Sequence, residues 1–177
     1  MGQTASAVSA MNNARRNQYV VEHITEAMLG LIQQQPFRDI SISRICEAAG
    51  VARASFYRNF DSKEAVILRH LKALLEDWAA HDQGKDNADF VEAIFRHYWK
   101  HRELCILLYR QELAHLSLQS LKDFCGPKPD QPNIVAYTTA YLSYGLYGWI
   151  EEWFKRGMQE SPAEMSALWA RAQKGMQ

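Results

Sequence analysis

The stretch Ser41–Lys63, SISRICEAAGVARASFYRNFDSK, concentrates the side chains best suited to chemistry. Arg44, Arg53, Arg58 and Lys63 supply fixed positive charge, while Ser41, Ser43, Ser55 and Tyr57 supply hydroxyls. Such groups hydrogen-bond to phosphate oxygens, and an arginine fork also matches the two acceptors on a guanine edge. Catalytic signatures are missing: there is no glycine-rich phosphate loop, no nucleophile motif and no pair of catalytic carboxylates. The expected chemistry is therefore recognition, not turnover, and the chain reads as a non-enzyme without a cofactor.

Two short helices must present these groups. Ser41 is a good N-cap for a helix beginning at Ile42, in which Ile42, Ile45 and Ala49 share one face. Ala48 and Ala49 are small enough for a second helix to cross closely. Gly50 stands where the chain leaves through a left-handed conformation, and Val51 plugs the turn. The following helix, Ala52 to Arg58, turns Phe56 and Phe60 inward and leaves Arg53, Ala54, Ser55, Tyr57 and Arg58 outward. Asp61 with Glu64 reads as the capping box of a further helix. The combination predicts a helix-turn-helix that meets double-stranded DNA.

The run AGVARASFYRNFDSKEAV resembles the signature of the TetR/AcrR family of transcriptional regulators. Members usually show an alanine-glycine-valine turn, an aromatic-tyrosine pair, an aromatic residue before the fourth helix and serine-lysine-glutamate at its start. The resemblance covers about the first third of the chain. Ala52 departs from it, standing where the family commonly has serine, so the recognition helix lacks that cap; such a loss costs about 1 kcal/mol. Within this frame Arg53 is assigned to a base edge, a guanine in the major groove, Ala54 to a thymine methyl and Ser55 to a base or phosphate. By likeness to family positions, Tyr57, Lys63, Ser41 and Ser43 are assigned to phosphates, with Arg44 and Arg58 as further phosphate candidates.

Composition frames the rest. The 177 residues are 47% hydrophobic and include five tryptophans, which excludes disorder for most of the chain. Net charge is zero, yet residues 1–75 hold nine Lys/Arg against six Asp/Glu, a net +3, and residues 76–177 carry the matching −3. The basic excess lies with the helix-turn-helix, where phosphates would be met. Cys46, Cys105 and Cys125 are far apart with no C-x-x-C, as expected of reduced thiols. With neither a spanning apolar run nor a signal-peptide pattern, the expected location is cytoplasmic, with no membrane contact.

The whole chain reads as all-α, about nine helices in two domains. Residues 1–13 are expected as a flexible tail, 14–61 as the DNA-binding domain, 62–80 as a connecting helix and 81–177 as a ligand-binding and dimerisation domain. The first helix, about Ala14 to Gln34, places Val21, Ile24, Met28 and Leu31 on one face and stops before Pro36. The connecting helix carries Ile67, Leu71, Leu74 and Trp78. After the polar break HDQGKDN, helical patterns cover about 87–100, 102–110 and 111–124, and Gly126, Pro127, Pro129 and Pro132 mark a loop.

Residues 133–156, NIVAYTTAYLSYGLYGWIEEWFKR, predict a helix roughly 36 Å long. Its apolar groups wrap more than half the circumference and call for two apolar neighbours, its own domain and a symmetry mate. Gly157 stops it, and Ser161, Pro162 and Glu164 signal a last helix to about Lys174. In the family the last two long helices of each subunit form a four-helix dimer interface, and YGLYGWIEEWFKRGMQESPAEM resembles the regulatory domain of one branch. The resemblance implies a homodimer, with Tyr144, Gly145, Gly148, Trp149, Trp153 and Trp169 as interface candidates. A small-molecule effector is expected to sit among Tyr98, Trp99, Tyr109, Phe124, Tyr137 and Tyr141. His97, His101 and Cys105 recur at helical spacing, but a helix break near Arg102 and flanking Lys100 and Arg102 speak against a metal site. The function implied is a DNA-binding regulator, most often a repressor in the family. The alternative is a helical-dimer interaction protein acting through a protein co-activator.

Overall fold

A computed structural model describes residues 2–81 and 87–175 of the protein. Its elements are α1 (Gly2–Gln34), a 3-10 turn (Phe37–Asp39), α2 (Ile42–Ala49), α3 (Arg53–Asn59), α4 (Lys63–His81), α5 (Asn87–Lys100), α6 (Arg102–Arg110), α7 (Ala114–Cys125), α8 (Asn133–Lys155) and α9 (Pro162–Gly175). Among the described residues the fold is all-α, as the sequence implies, and no helix is long and apolar enough to cross a membrane. The chain divides into two compact units, Met1–His70 and Leu71–Gln177, and the division falls inside α4.

In the first unit α1 packs on α2 and α3. Ile24, Met28, Leu31 and Ile32 bury one stripe of α1 at helical spacing; the buried side chains of the rest of the unit are Phe37, Ile40, Ile45, Cys46, Phe56, Phe60, Val66 and Ile67. The expected start of α1 at Ala14 is corrected, since the helical backbone continues from Gly2. The segment contains alanines and no proline, so nothing in it interrupts the i to i−4 ladder. Pro36 ends the helix region as expected, but the chain then makes a 3-10 turn that periodicity did not signal.

In the second unit, Leu75, Trp78, Ile94, Phe95, Tyr98, Leu146, Ile150, Trp153 and Phe154 belong to one buried cluster. Trp78 and Trp153 meet Phe90 and Phe95 edge-on at 5.6 Å each, the arrangement favoured by aromatic quadrupoles. The break between α6 and α7 falls at Gln111–Leu113, where Glu112 takes a positive φ of 61°. Just past the end of α8 stands Gly157, whose φ of 78° glycine adopts without strain. The capping box of α9 forms as the sequence indicates: the Ser161 amide donates to Glu164 Oε2 at 2.8 Å and the Glu164 amide to Ser161 Oγ at 3.3 Å. The box expected at Asp61 is corrected: Ser62, one residue on, caps α4 by accepting from the Ala65 amide at 3.1 Å.

Candidate nucleic-acid interface

Ser41 caps α2 as expected, its Oγ accepting from the Arg44 amide at 3.1 Å. At the other end Gly50 has φ 64°, and its amide returns to the carbonyls of Cys46 and Glu47. Ala52 sits at the N-cap of α3 with no side-chain bond. Phe56 is fully buried, meets Phe60 at 5.6 Å, and so fixes the roll of α3. That roll leaves Arg53, Ala54, Tyr57 and Arg58 exposed and Ser55 half-buried.

The exposed face is organised. Arg53 Nη1 donates to Ser43 Oγ of α2 at 3.0 Å, and Nη2 donates to Tyr57 Oη at 3.3 Å, with the guanidinium 5.9 Å from the Tyr57 ring centre. One arginine is thus held by a hydroxyl from each helix, which reduces the number of rotamers it samples. Arg44 pairs with Glu47 at 2.8 Å across one turn of α2, an exposed contact worth little in water. Sequence reasoning brought Ser43 and Arg53 to the same surface but did not foresee their bond, because ten residues separate them.

Lys63 requires a correction. Its ammonium donates to the carbonyls of Phe37 at 2.6 Å, Ile40 at 3.0 Å and Arg38 at 3.3 Å, and lies 4.2 Å from the centre of the Phe37 ring. Three donors meet three acceptors, so none is left over for a phosphate. Lys63 ties the start of α4 to the 3-10 turn. No local sequence signal announces this, since the acceptors are backbone groups more than twenty residues away.

The residues expected to line an effector pocket are divided between the second core and the surface. Tyr98 is buried in the second core, Trp99 stacks on Trp153 at 5.8 Å, Tyr109 and Phe124 pack against the same core, and Tyr137 and Tyr141 are 70% and 65% exposed. Among the described residues, a cavity of about 550 Å³ is bordered by α5, α7, α8 and α9. None of the six lies on it.

Of the interface candidates, Tyr144, Gly145 and Gly148 are exposed on α8, whereas Trp149 and Trp169 are half-buried and meet edge-on at 5.4 Å. Gly145 lies within reach of Trp169 of its own chain, 3.9 Å from the position its Cβ would take. Trp153 is 2% exposed inside the core, so it is corrected from an interface residue to a core residue. At the α5–α6 junction His97 is buried and His101 half-buried, with rings 5.1 Å apart, while Cys105 is turned to the Tyr98 carbonyl. Burial lowers the His97 pKa to about 4, with His101 and Lys100 adding to the effect, and burial raises the Cys105 thiol to about 12.

A glycine turn in the left-handed region, a short exposed helix and an arginine braced across the pair define a helix-turn-helix unit. The pattern described as "Bacterial regulatory proteins, tetR family" matches residues 24–69, and the one described as "Transcriptional regulator C-terminal region" matches residues 85–175, just over half of the chain. The protein belongs to the TetR family of transcriptional regulators. The HTH-type transcriptional regulator EthR of Mycolicibacterium smegmatis is 38% identical over 58 residues, 33% of this chain and 25% of that protein. An uncharacterized HTH-type transcriptional regulator of Mycobacterium tuberculosis, Rv1255c, is 39% identical over 54 residues, 30% of this chain and 27% of that protein. The matched region thus spans about a quarter of these relatives' length.

Proposed function

We propose that the protein is a homodimeric repressor that binds a pseudo-palindromic DNA operator, with its DNA affinity modulated by an effector held in the second unit. The observation that carries the DNA reading is Arg53, exposed at the start of α3 and braced by Ser43 and Tyr57. In a major groove this guanidinium presents a planar fork to a guanine, while Ser41, Ser43, Tyr57, Arg44 and Arg58 surround it with phosphate donors.

The homodimer reading is supported by α8. Ile134, Tyr137, Tyr141 and Tyr144 recur three and four residues apart and are 53% to 73% exposed, on the side opposite its buried Ser143, Leu146, Ile150 and Trp153. An apolar stripe of this extent is characteristic of a contact surface, and a two-fold axis would make it self-complementary. Two recognition helices related by that axis read two half-sites, so their separation sets the operator spacing.

Selection of bound sites from random duplex DNA tests the reading. The expected product is a two-fold symmetric site with a guanine whose preference disappears in the Arg53→Ala protein. Recovery of unrelated sequences at low salt, or of a single asymmetric half-site, would overturn it.

A further inference from the structure

The cavity bordered by α5, α7, α8 and α9 has the chemistry of a small-molecule site. At about 550 Å³ it falls in the size range of sites for organic ligands. Leu146, Trp169 and Ala170 supply apolar wall. The buried Ser143 donates its hydroxyl proton to the Ala140 carbonyl at 3.2 Å, so the oxygen retains acceptor capacity and no proton is left for a ligand there. Thr139 and Ser166 add neutral hydroxyls to the lining, and on the last turns of α9 Gln173 and Lys174 border the cavity. Lys174 is the one charged residue in the lining, and no Asp or Glu among the described residues shares it. Such a wall favours an apolar body, repels a cation at its charged end and stabilises an anion there.

We infer that this cavity binds an amphipathic small molecule with an apolar body and a terminal carboxylate or phosphate, the anion meeting Lys174 and Gln173. The ligand class follows from the cavity alone. Any effect on DNA rests on the regulator reading above.

The test is calorimetric titration of the full chain, without DNA, by decanoate, decyl phosphate and the neutral decan-1-ol. The anions are expected to bind saturably, one per chain. Lys174→Gln is expected to weaken each anion that binds at least tenfold and decan-1-ol less than twofold, because only the charged contact is lost. Ala170→Trp, which fills the cavity, is expected to abolish binding of all three while the protein unfolds at an unchanged or higher temperature. Absence of binding by either anion, equal weakening of anion and alcohol by Lys174→Gln, or undiminished binding to a folded Ala170→Trp protein would each overturn the site. A gel shift then separates the two readings. Decanoate binding with unaltered DNA affinity upholds the site and removes its effector role, while retained ligand binding by a protein that ignores every duplex upholds the site and sinks the regulator.

Discussion

Arg53 gathers most of what the first unit can do in one side chain. On the function proposed above, a guanidinium already held by Ser43 and Tyr57 would reach a duplex with part of its ordering cost met. Arg53→Ala is expected to cost about 1–3 kcal/mol at the specific site and to relax preference at one base pair per half-site. Ser43→Ala keeps the fork but loosens it, so a smaller loss with preserved base preference is expected. Binding curves on operators substituted at that base pair check both, and an Arg53→Ala protein with wild-type preference would remove Arg53 from readout. His97 carries a prediction of a different kind. Its folded pKa lies near 4 because burial disfavours the imidazolium, whereas the unfolded chain takes up the proton near 6.5. The stability it contributes is complete above pH 6.5 and is lost as pH falls toward 4, about 2 kcal/mol of it by pH 5. Denaturant unfolding at pH 7 and pH 5 is expected to show this loss, and His97→Phe to reduce it; identical pH dependence in the two proteins would contradict the assignment.

At the scale of elements, the helix pair depends on its turn and on the clamp behind it. Gly50 has φ 64° with open space around its missing side chain, so a substitution there meets backbone strain and no clash. Gly50→Ala is expected to destabilise by about 1–2 kcal/mol and Gly50→Asn by less, since asparagine tolerates the left-handed region. Unfolding midpoints that rank the other way would show that the turn is held by something besides its backbone. Lys63 joins α4 to the 3-10 turn through three carbonyls, and Lys63→Met removes those charge-assisted bonds while keeping the stem. The expected loss is about 1.5–3 kcal/mol of stability, with the salt dependence of DNA binding unchanged. A slope shallower by about one with unaltered stability would restore Lys63 to the phosphates.

At the scale of the whole molecule, α8 carries an exposed apolar stripe. Tyr137→Glu with Tyr141→Glu places two charges on a stripe that is 70% and 65% exposed, where they disturb nothing inside the chain. The variant is expected to keep its helical content, to sediment as a monomer where the wild type sediments as a dimer, and to lose at least tenfold in operator affinity. A monomeric wild type would sink the two-fold reading.

The local devices were legible in the order of residues because each acts within one helical turn: the Ser41 cap, the Gly50 turn, the inward Phe56 and the Ser161–Glu164 box all depend on neighbours three or four positions away. The all-α class and the family signature were legible for the same reason, since periodicity and turn residues are local. What lies beyond a turn was decided by packing. Lys63 looks like a surface cation until the 3-10 turn brings three carbonyls to it, and Trp153 looks like any aromatic on a long helix until Phe95 and Trp99 enclose it. The cavity is the extreme case, for a hole belongs to no residue: its wall is assembled from α5, α7, α8 and α9. Hydrogen bonds that cap and turn are written in spacing, whereas burial and empty space are sums over elements far apart in the chain, and only the tertiary structure performs that sum.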